Sequence, residues 1–288
     1  MINFLKYKWL YILISSIVIG IGLFSIIKWG YSYSIDFVGG TNLQYLLDKD
    51  IKLNKVKETL SQESIEIIDL SKKGKVISIR TKAISDKKEQ EVKKSLEKNL
   101  SVKINVLRSE TVGPTLGKET VRKTIIASFL AVIGILIYMS FAFKNFNFAI
   151  AAIIAMFHDF LVVIGVYSLI SHFFHAQVDI MLVTALLTTM SFSIHDTIVI
   201  FDKIREYKKY EGKNDAQYYA NKALTETMVR SINNSMTIVF MLLALILLGG
   251  STIRFFIIAL LIGTLTGTYS SPFVATPILV WFEKRKKK

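Results

Sequence analysis

Cysteine is absent from this 288-residue sequence, so disulfides, thiolate chemistry and Cys-ligated metals are excluded, while the compartment stays open. Equally missing are a Walker-type Gly-Lys-Ser/Thr loop, a GxSxG elbow and an HExxH pair. The four histidines do not meet carboxylates at metal-ligand spacing, apart from two His-Asp dipeptides inside apolar segments. ATP use, enzymatic chemistry and a bound cofactor are therefore not expected. Acidic residues are few beside basic ones, 22 against 36, for a formal net charge of +14. Such an excess suits nucleic acid, anionic lipid or the cytoplasmic loops of a membrane protein. Because the cations flank apolar runs, lipid and topology are favoured over nucleic acid.

Those runs dominate the chain, which is 52% hydrophobic. About 20 apolar residues cross a bilayer as a helix, and six such spans emerge, roughly 9–27, 124–143, 148–170, 180–201, 232–249 and 253–282. The first follows Lys6 and Lys8 like a signal peptide, but it exceeds a usual h-region and lacks a small-x-small cleavage site, so it reads as a retained span. An even number of spans puts both termini on one side. Lys6, Lys8, Lys144, the basic loop 202–230 and the tail 284–288 fall there, while the opposite short loops 171–179 and 249–253 carry no lysine or arginine. The positive-inside bias makes the shared side the cytoplasm.

Only the first exterior loop is long. Segments 41–48, 65–70, 76–80 and 102–107 have strand-like patterns, with a Ser-Lys-Lys-Gly turn between the second and third. Leu53, Val56 and Leu60 mark one face of a helix over 53–62, and Val92 and Leu96 mark another over 86–99. The order βαββαβ is the split-βαβ, ferredoxin-like arrangement. The expected organisation is a first helix (1–28), an extracytoplasmic ferredoxin-like domain (29–122) and a five-helix transmembrane bundle with a basic tail (123–288). The exterior domain has no histidine, and its acids are interleaved with lysines as on a solvated face.

The residues that demand explanation are polar ones inside spans. On the fourth, Thr189, Ser193, Asp196 and Thr197 form one stripe. On the fifth, Arg230, Asn233, Asn234 and Thr237 stand at i, i+3, i+4 and i+7. The two stripes are natural partners. An adjacent cation favours the ionised form of a carboxyl and burial the neutral one, so joining or parting such groups moves a proton. A static buried pair that fixes helix register is the alternative. His158 and Asp159 on the third span form a second candidate proton site or, alternatively, an interhelical hydrogen bond. His195 lies about 100° around the helix from Asp196 and need not share its pocket. Gly263 and Gly267 make a GxxxG packing face, and Pro272 and Pro277 should bend the sixth span.

Four stretches together resemble the SecF subunits of the bacterial SecD/SecF protein-export family, in the RND superfamily of proton-driven transporters. Phe37-Val38-Gly39-Gly40-Thr41 is similar to its FxGGT signature, and Val112-Gly113-Pro114-Thr115-Leu116-Gly117 to its VGPxLG segment. His158-Asp159 resembles the HD pair of the third span, and residues 193–206 resemble the NDTxVxxDRIRE run of the fourth. His195 stands where that family usually has Asn, and Asn234 where Thr often stands; both keep hydrogen-bonding capacity. The resemblance implies that Asp196 is the carboxylate of the proton pathway and Arg230 its cationic counterpart. It further implies a SecD-like partner and association with the SecYEG channel, YajC and YidC in the bacterial cytoplasmic membrane. The work would be gradient-driven export of unfolded polypeptide, with proton or sodium as the coupling ion. A passive scaffold for a SecD-like partner and a small-molecule efflux component are the alternatives. Efflux is disfavoured because such chains typically carry twelve spans and two large exterior loops.

Overall fold

The structure, a computed structural model, describes residues 2–63, 65–143, 145–211 and 215–285. Lys144 and the last three tail lysines, used above for topology, lie outside the described residues. The chain divides into two compact units, Met1–Ser32 with Ala127–Lys288, and Tyr33–Ile126.

Six helical stretches among the described residues are long and apolar enough to cross a membrane: Phe4–Trp29, Pro114–Phe141, Phe146–Phe174, Ile180–Tyr210, Ala216–Leu248 and Arg254–Arg285. Helix α1 (Lys8–Trp29) inverts the pattern of a soluble helix. Its buried residues are Ser15, Gly22 and Ser25, while Leu13, Ile17, Ile21 and Phe24 face outward. Lipid is as apolar as leucine, so burying large side chains gains little, and close backbone approach and hydrogen bonds drive the packing instead. Gly22 meets Gly165 of α5 (Phe146–Phe174) so closely that a Cβ on either would lie 2.7 Å from the other's Cα. Just above, Ser25 Oγ and Ser168 Oγ are 2.8 Å apart. Helix α4 (Pro114–Ala142) supplies the second span.

Helices α6 (Ile180–Tyr210) and α7 (Ala216–Leu248) depart from the expectation of a basic loop over 202–230. The 31 residues of α6 span about 46 Å, well beyond a hydrocarbon core of about 30 Å. The apolar run stops near Phe201, but buried Ile204, Tyr207, Tyr219, Ala220 and Leu224 continue a helical seam, so both helices carry on as an amphipathic pair. The sixth span is α8 (Arg254–Ser270), a π-helical turn over Ser271–Ala275, and α9 (Thr276–Arg285). Pro272 and Pro277 do interrupt the α-helical ladder. Pro272 sits at the start of the π-turn, and Thr276 Oγ1 donates to the Ser271 carbonyl at 2.9 Å.

In the other unit, β1 (Gly40–Leu47), α2 (Leu53–Gln62), β2 (Ile67–Lys73), β3 (Val76–Thr81), α3 (Asp86–Leu100) and β4 (Ile104–Val112) follow one another. The sheet order is β2-β3-β1-β4, and each adjacent pair is antiparallel. Alternate residues Leu43, Tyr45 and Leu47 of β1 and Ile77 and Ile79 of β3 point to one face, where Val56 and Leu60 of α2 and Val92 and Leu96 of α3 cover them. The hairpin turn falls at Gly74, whose φ of +60° suits glycine, rather than across the four residues expected. Strand β4 runs further than 102–107, because pairing with β1 continues to Gly40 opposite Val112. It is an edge strand exposed on both faces beyond Ile104, so its hydrophobic alternation is lost.

Candidate ion-coupling site

Two carboxylates are buried in the helical bundle, Asp159 on α5 and Asp196 on α6, with 3% and 5% of their surface exposed. Asp159 is the better connected. Its Oδ2 accepts from Ser193 Oγ of α6 at 2.5 Å and from Ser270 Oγ of α8 at 2.7 Å. Its Oδ1 lies 2.9 Å from His158 Nδ1, and His158 Nε2 lies 2.9 Å from Ser15 Oγ of α1. A neutral ring satisfies both contacts when Nδ1–H donates to the carboxylate and Nε2 accepts from the serine. Four helices thus converge on one acid.

Asp196 accepts a short hydrogen bond from Ser231 Oγ of α7. A hydroxyl cluster sits beside Ser193: Thr197 Oγ1 and Ser271 Oγ are 2.8 Å apart, and both also reach the Ser193 carbonyl, at 3.1 and 3.2 Å. Thr268 Oγ1 donates to Ser235 Oγ at 2.6 Å, tying α8 to α7. Glycines allow this convergence. A Cβ at Gly263 would lie 2.3 Å from Thr189 Cγ2, and one at Gly267 3.0 Å from Ser193 Cβ, so the GxxxG face of α8 is spent against the polar stripe of α6.

The expected contact between Asp196 and Arg230 is not formed. Arg230, Asn233, Asn234 and Thr237 are all exposed, and Ser231, one residue and about 100° further round the helix, takes the inward position. Ser235, one turn on, is buried as well. The stripe is real but faces away from this bundle. Helix α6 presents a second outward polar row, Thr184, Thr188, Ser191 and His195, spaced along one face. Of the serines that touch the acids, Ser193 is among the sequence-based candidates, while Ser231 and Ser270 are not, and neither are Ser15 on His158 and Ser271 on Thr197. The signal for Ser231 and Ser235 was their i, i+4 spacing at the start of the fifth apolar span.

The glycine motifs serve the other unit. Gly39 and Gly40 have φ of +75° and +128°. A Cβ on Gly39 would lie 2.9 Å from Pro114 Cα, and one on Gly117 2.9 Å from Gly39 N, so the two motif segments pack backbone to backbone. Gly113 accepts from the Gly117 N–H at 3.0 Å, and Thr41 Oγ1 lies 2.9 Å from Thr111 Oγ1 while accepting from Ile84 N at 3.0 Å.

The model of the family "Protein export membrane protein SecD/SecF, C-terminal" matches residues 91–285. The chain belongs to the SecD/SecF protein-export family. It is 37% identical to the protein translocase subunit SecF of Thermobaculum terrenum, over 99% of this chain and 95% of that one. It is 31% identical to the protein translocase subunit SecDF of Thermus thermophilus over 90% of this chain, but spans only 35% of that longer protein. The crystal structure of SecDF from Thermus thermophilus, described as a translocon-associated membrane protein, superposes with a TM-score of 0.88 at 30% identity. The match covers 99% of this chain and 39% of that one. A structure of SecDF in a super-membrane-facing form gives a TM-score of 0.69 at 29% identity. SecD/SecF membership places the buried acids in a chain whose relatives are named translocase subunits.

Proposed function

We propose that this chain is the SecF-type accessory subunit of a Sec protein translocase and that it uses an ion gradient to promote export of unfolded polypeptide across the bacterial cytoplasmic membrane. Asp159 and Asp196 are the ion-coupling groups, and Tyr33–Ile126 is a ferredoxin-like domain on the exterior side, with both termini cytoplasmic. The observation that carries the reading is two carboxylates buried in the spans, Asp196 held by the Ser231 hydroxyl and Asp159 by the Ser193 and Ser270 hydroxyls and by His158, with no lysine or arginine on either among the described residues. A hydroxyl can donate to a carboxylate and accept from a carboxylic acid. Each acid can therefore gain or lose a proton without losing its partner, and the charge change is felt by every helix that contributes a serine. One charge crossing the membrane potential yields about 2.3 kcal/mol per 100 mV.

The outward polar rows of α6 and α7 support a SecD-like partner, since an uncovered guanidinium or amide row at bilayer depth is costly. The longer SecDF relatives, which this chain matches over 35% and 38% of their length, join further sequence to such a half. SecYEG, YajC and YidC are the further assembly partners this reading entails. It is tested by reconstituting the chain with its SecD-like partner and SecYEG in proteoliposomes. Asp196→Asn and Asp159→Asn should each insert and retain the partner while abolishing gradient-stimulated export. Normal stimulation by both variants sinks the proposal and favours a passive scaffold.

A further inference from the structure

At the end of the bundle where α1 begins and α9 ends, a groove of about 300 Å³ opens beside the π-helical turn. Its walls are apolar: Trp9 and Ile12 of α1, Phe273 of the π-turn, and Pro277 and Trp281 of α9. Its rim is cationic, with Lys8 from one wall and Lys284 from the other, and the Arg285 guanidinium sits 4.1 Å over the Trp281 ring.

Two features select an occupant. Trp9 and Trp281 are 74% and 49% exposed, and amphipathic rings of this kind sit at headgroup level. The rim therefore marks the membrane surface, and Ile12, one turn deeper than Lys8, lines the part that enters hydrocarbon. Cation above and apolar wall below match a phosphate joined to an acyl chain. The charges differ in their commitments. Lys284 donates to Gln217 Oε1 at 3.0 Å and lies 3.3 Å from the Asp215 carboxylate. Lys8 has no carboxylate partner among the described residues, and its ammonium lies 5.8 Å from the Trp9 ring. A neutral transmembrane helix from another chain would leave Lys8 unanswered, whereas a phosphodiester answers it, and basic pockets between spans on the cytoplasmic side are suited to anionic headgroups.

We infer that this groove holds one anionic glycerophospholipid, its phosphate at Lys8 and Lys284 and an acyl chain along Ile12, Phe273 and Pro277. Native mass spectrometry of the full chain in mild detergent, titrated with phosphatidylglycerol and separately with phosphatidylcholine, tests it. One phosphatidylglycerol should be retained per chain in preference to phosphatidylcholine. Lys8→Gln and Lys284→Gln should each weaken retention about fivefold, and the pair about thirtyfold. Ile12→Trp, which fills the groove from an exposed position, should remove retention while the thermal melt followed by circular dichroism stays unchanged. Equal retention of the two lipids overturns the inference. So does undiminished phosphatidylglycerol binding by the double variant, or capture of a second polypeptide instead of lipid by a photo-crosslinker at position 12.

Discussion

Ser231 donates its hydroxyl to the buried carboxylate of Asp196, while its neighbour Arg230, about 100° back around the same turn, is exposed. The acid is therefore joined to α7 through a small neutral hydroxyl. The cation that a reading of the sequence pairs with it faces out of the bundle.

The first expected outcome concerns that hydroxyl. A hydrogen bond to a charged group is worth about 1.5–3 kcal/mol, and no other described hydrogen bond holds the Asp196 carboxylate. Ser231→Ala should lower gradient-stimulated export by roughly tenfold or more, while Ser231→Thr should retain most of it. Export is measured in proteoliposomes with and without an imposed gradient. An alanine variant that responds normally would show that Asp196 needs no hydroxyl from α7.

A second outcome follows from the contact of Gly263 with Thr189. Because the GxxxG face packs on α6 of the same chain, overpacking should damage this chain itself rather than only its association with a partner. Gly263→Leu should destabilise it by about 1–3 kcal/mol or more, seen as a lower melting temperature of the lone chain in detergent. Gly134→Ala, where nothing lies within 4 Å of an added Cβ, should leave the melt nearly unchanged. A Gly263→Leu chain that melts normally but loses its partner would place the face at an interchain contact instead.

The sequence announces hydrophobic spans through length and apolarity alone, and so the six membrane helices were legible. The βαββαβ order was equally readable, because Leu43, Tyr45 and Leu47 alternate while Val56 with Leu60 and Val92 with Leu96 repeat every four residues. Asp159 and Asp196 stood out as acids in apolar runs. What could not be read was which hydroxyls hold them. Ser193, Ser270 and Ser231 hold the acids and Ser15 holds His158; they come from four helices, and their convergence depends on the close approaches of Gly22 to Gly165 and Gly267 to Ser193. A polar stripe also has no sign. Arg230, Asn233 and Asn234 and the pair Ser231 and Ser235 both have helical spacing, and only packing decides which faces inward.

A pH effect is expected in the other unit, where Glu63, just beyond α2, clasps α3. It accepts from Ser95 Oγ at 2.6 Å and from Lys88 Nζ at 3.1 Å, and these bonds, Ser95 foremost, hold its carboxyl below the ordinary value of 4.5. A lowered folded value means the clasp stabilises fully above the ordinary glutamate range and fades as pH falls through the folded value. Lys88 is raised, chiefly by Glu63, so its share is present below 10.5 and fades only as pH rises beyond its folded value. Protection of the α2 and α3 amides, taken relative to intrinsic exchange at each pH, should fall below about pH 4.5 in the natural chain. In Glu63→Gln this acid-side step should be smaller and exchange at neutral pH faster. An unchanged acid step in the variant would assign it to other carboxylates.

The exposed Arg230 sets the last expectation. Ser231 reaches Asp196, and Asp196 lies sixteen residues into α6 from Ile180, about 24 Å along the helix axis, so a hydrocarbon core of about 30 Å that starts at Ile180 takes in Arg230. A cation there costs about 2.5–3.5 kcal/mol on insertion scales unless protein or water covers it. Arg230→Leu removes that cost from the lone chain but also removes the charge a partner would meet. The variant should therefore insert at least as well and melt no lower than the natural chain, while recovery of a SecD-like partner in co-purification falls about tenfold. Asn233→Leu should act in the same direction more weakly, because an amide offers hydrogen bonds without charge. If Arg230→Leu instead lowers the melting temperature of the lone chain and leaves partner recovery untouched, the arginine is held within this subunit and the outward face of α7 is not where the two halves meet.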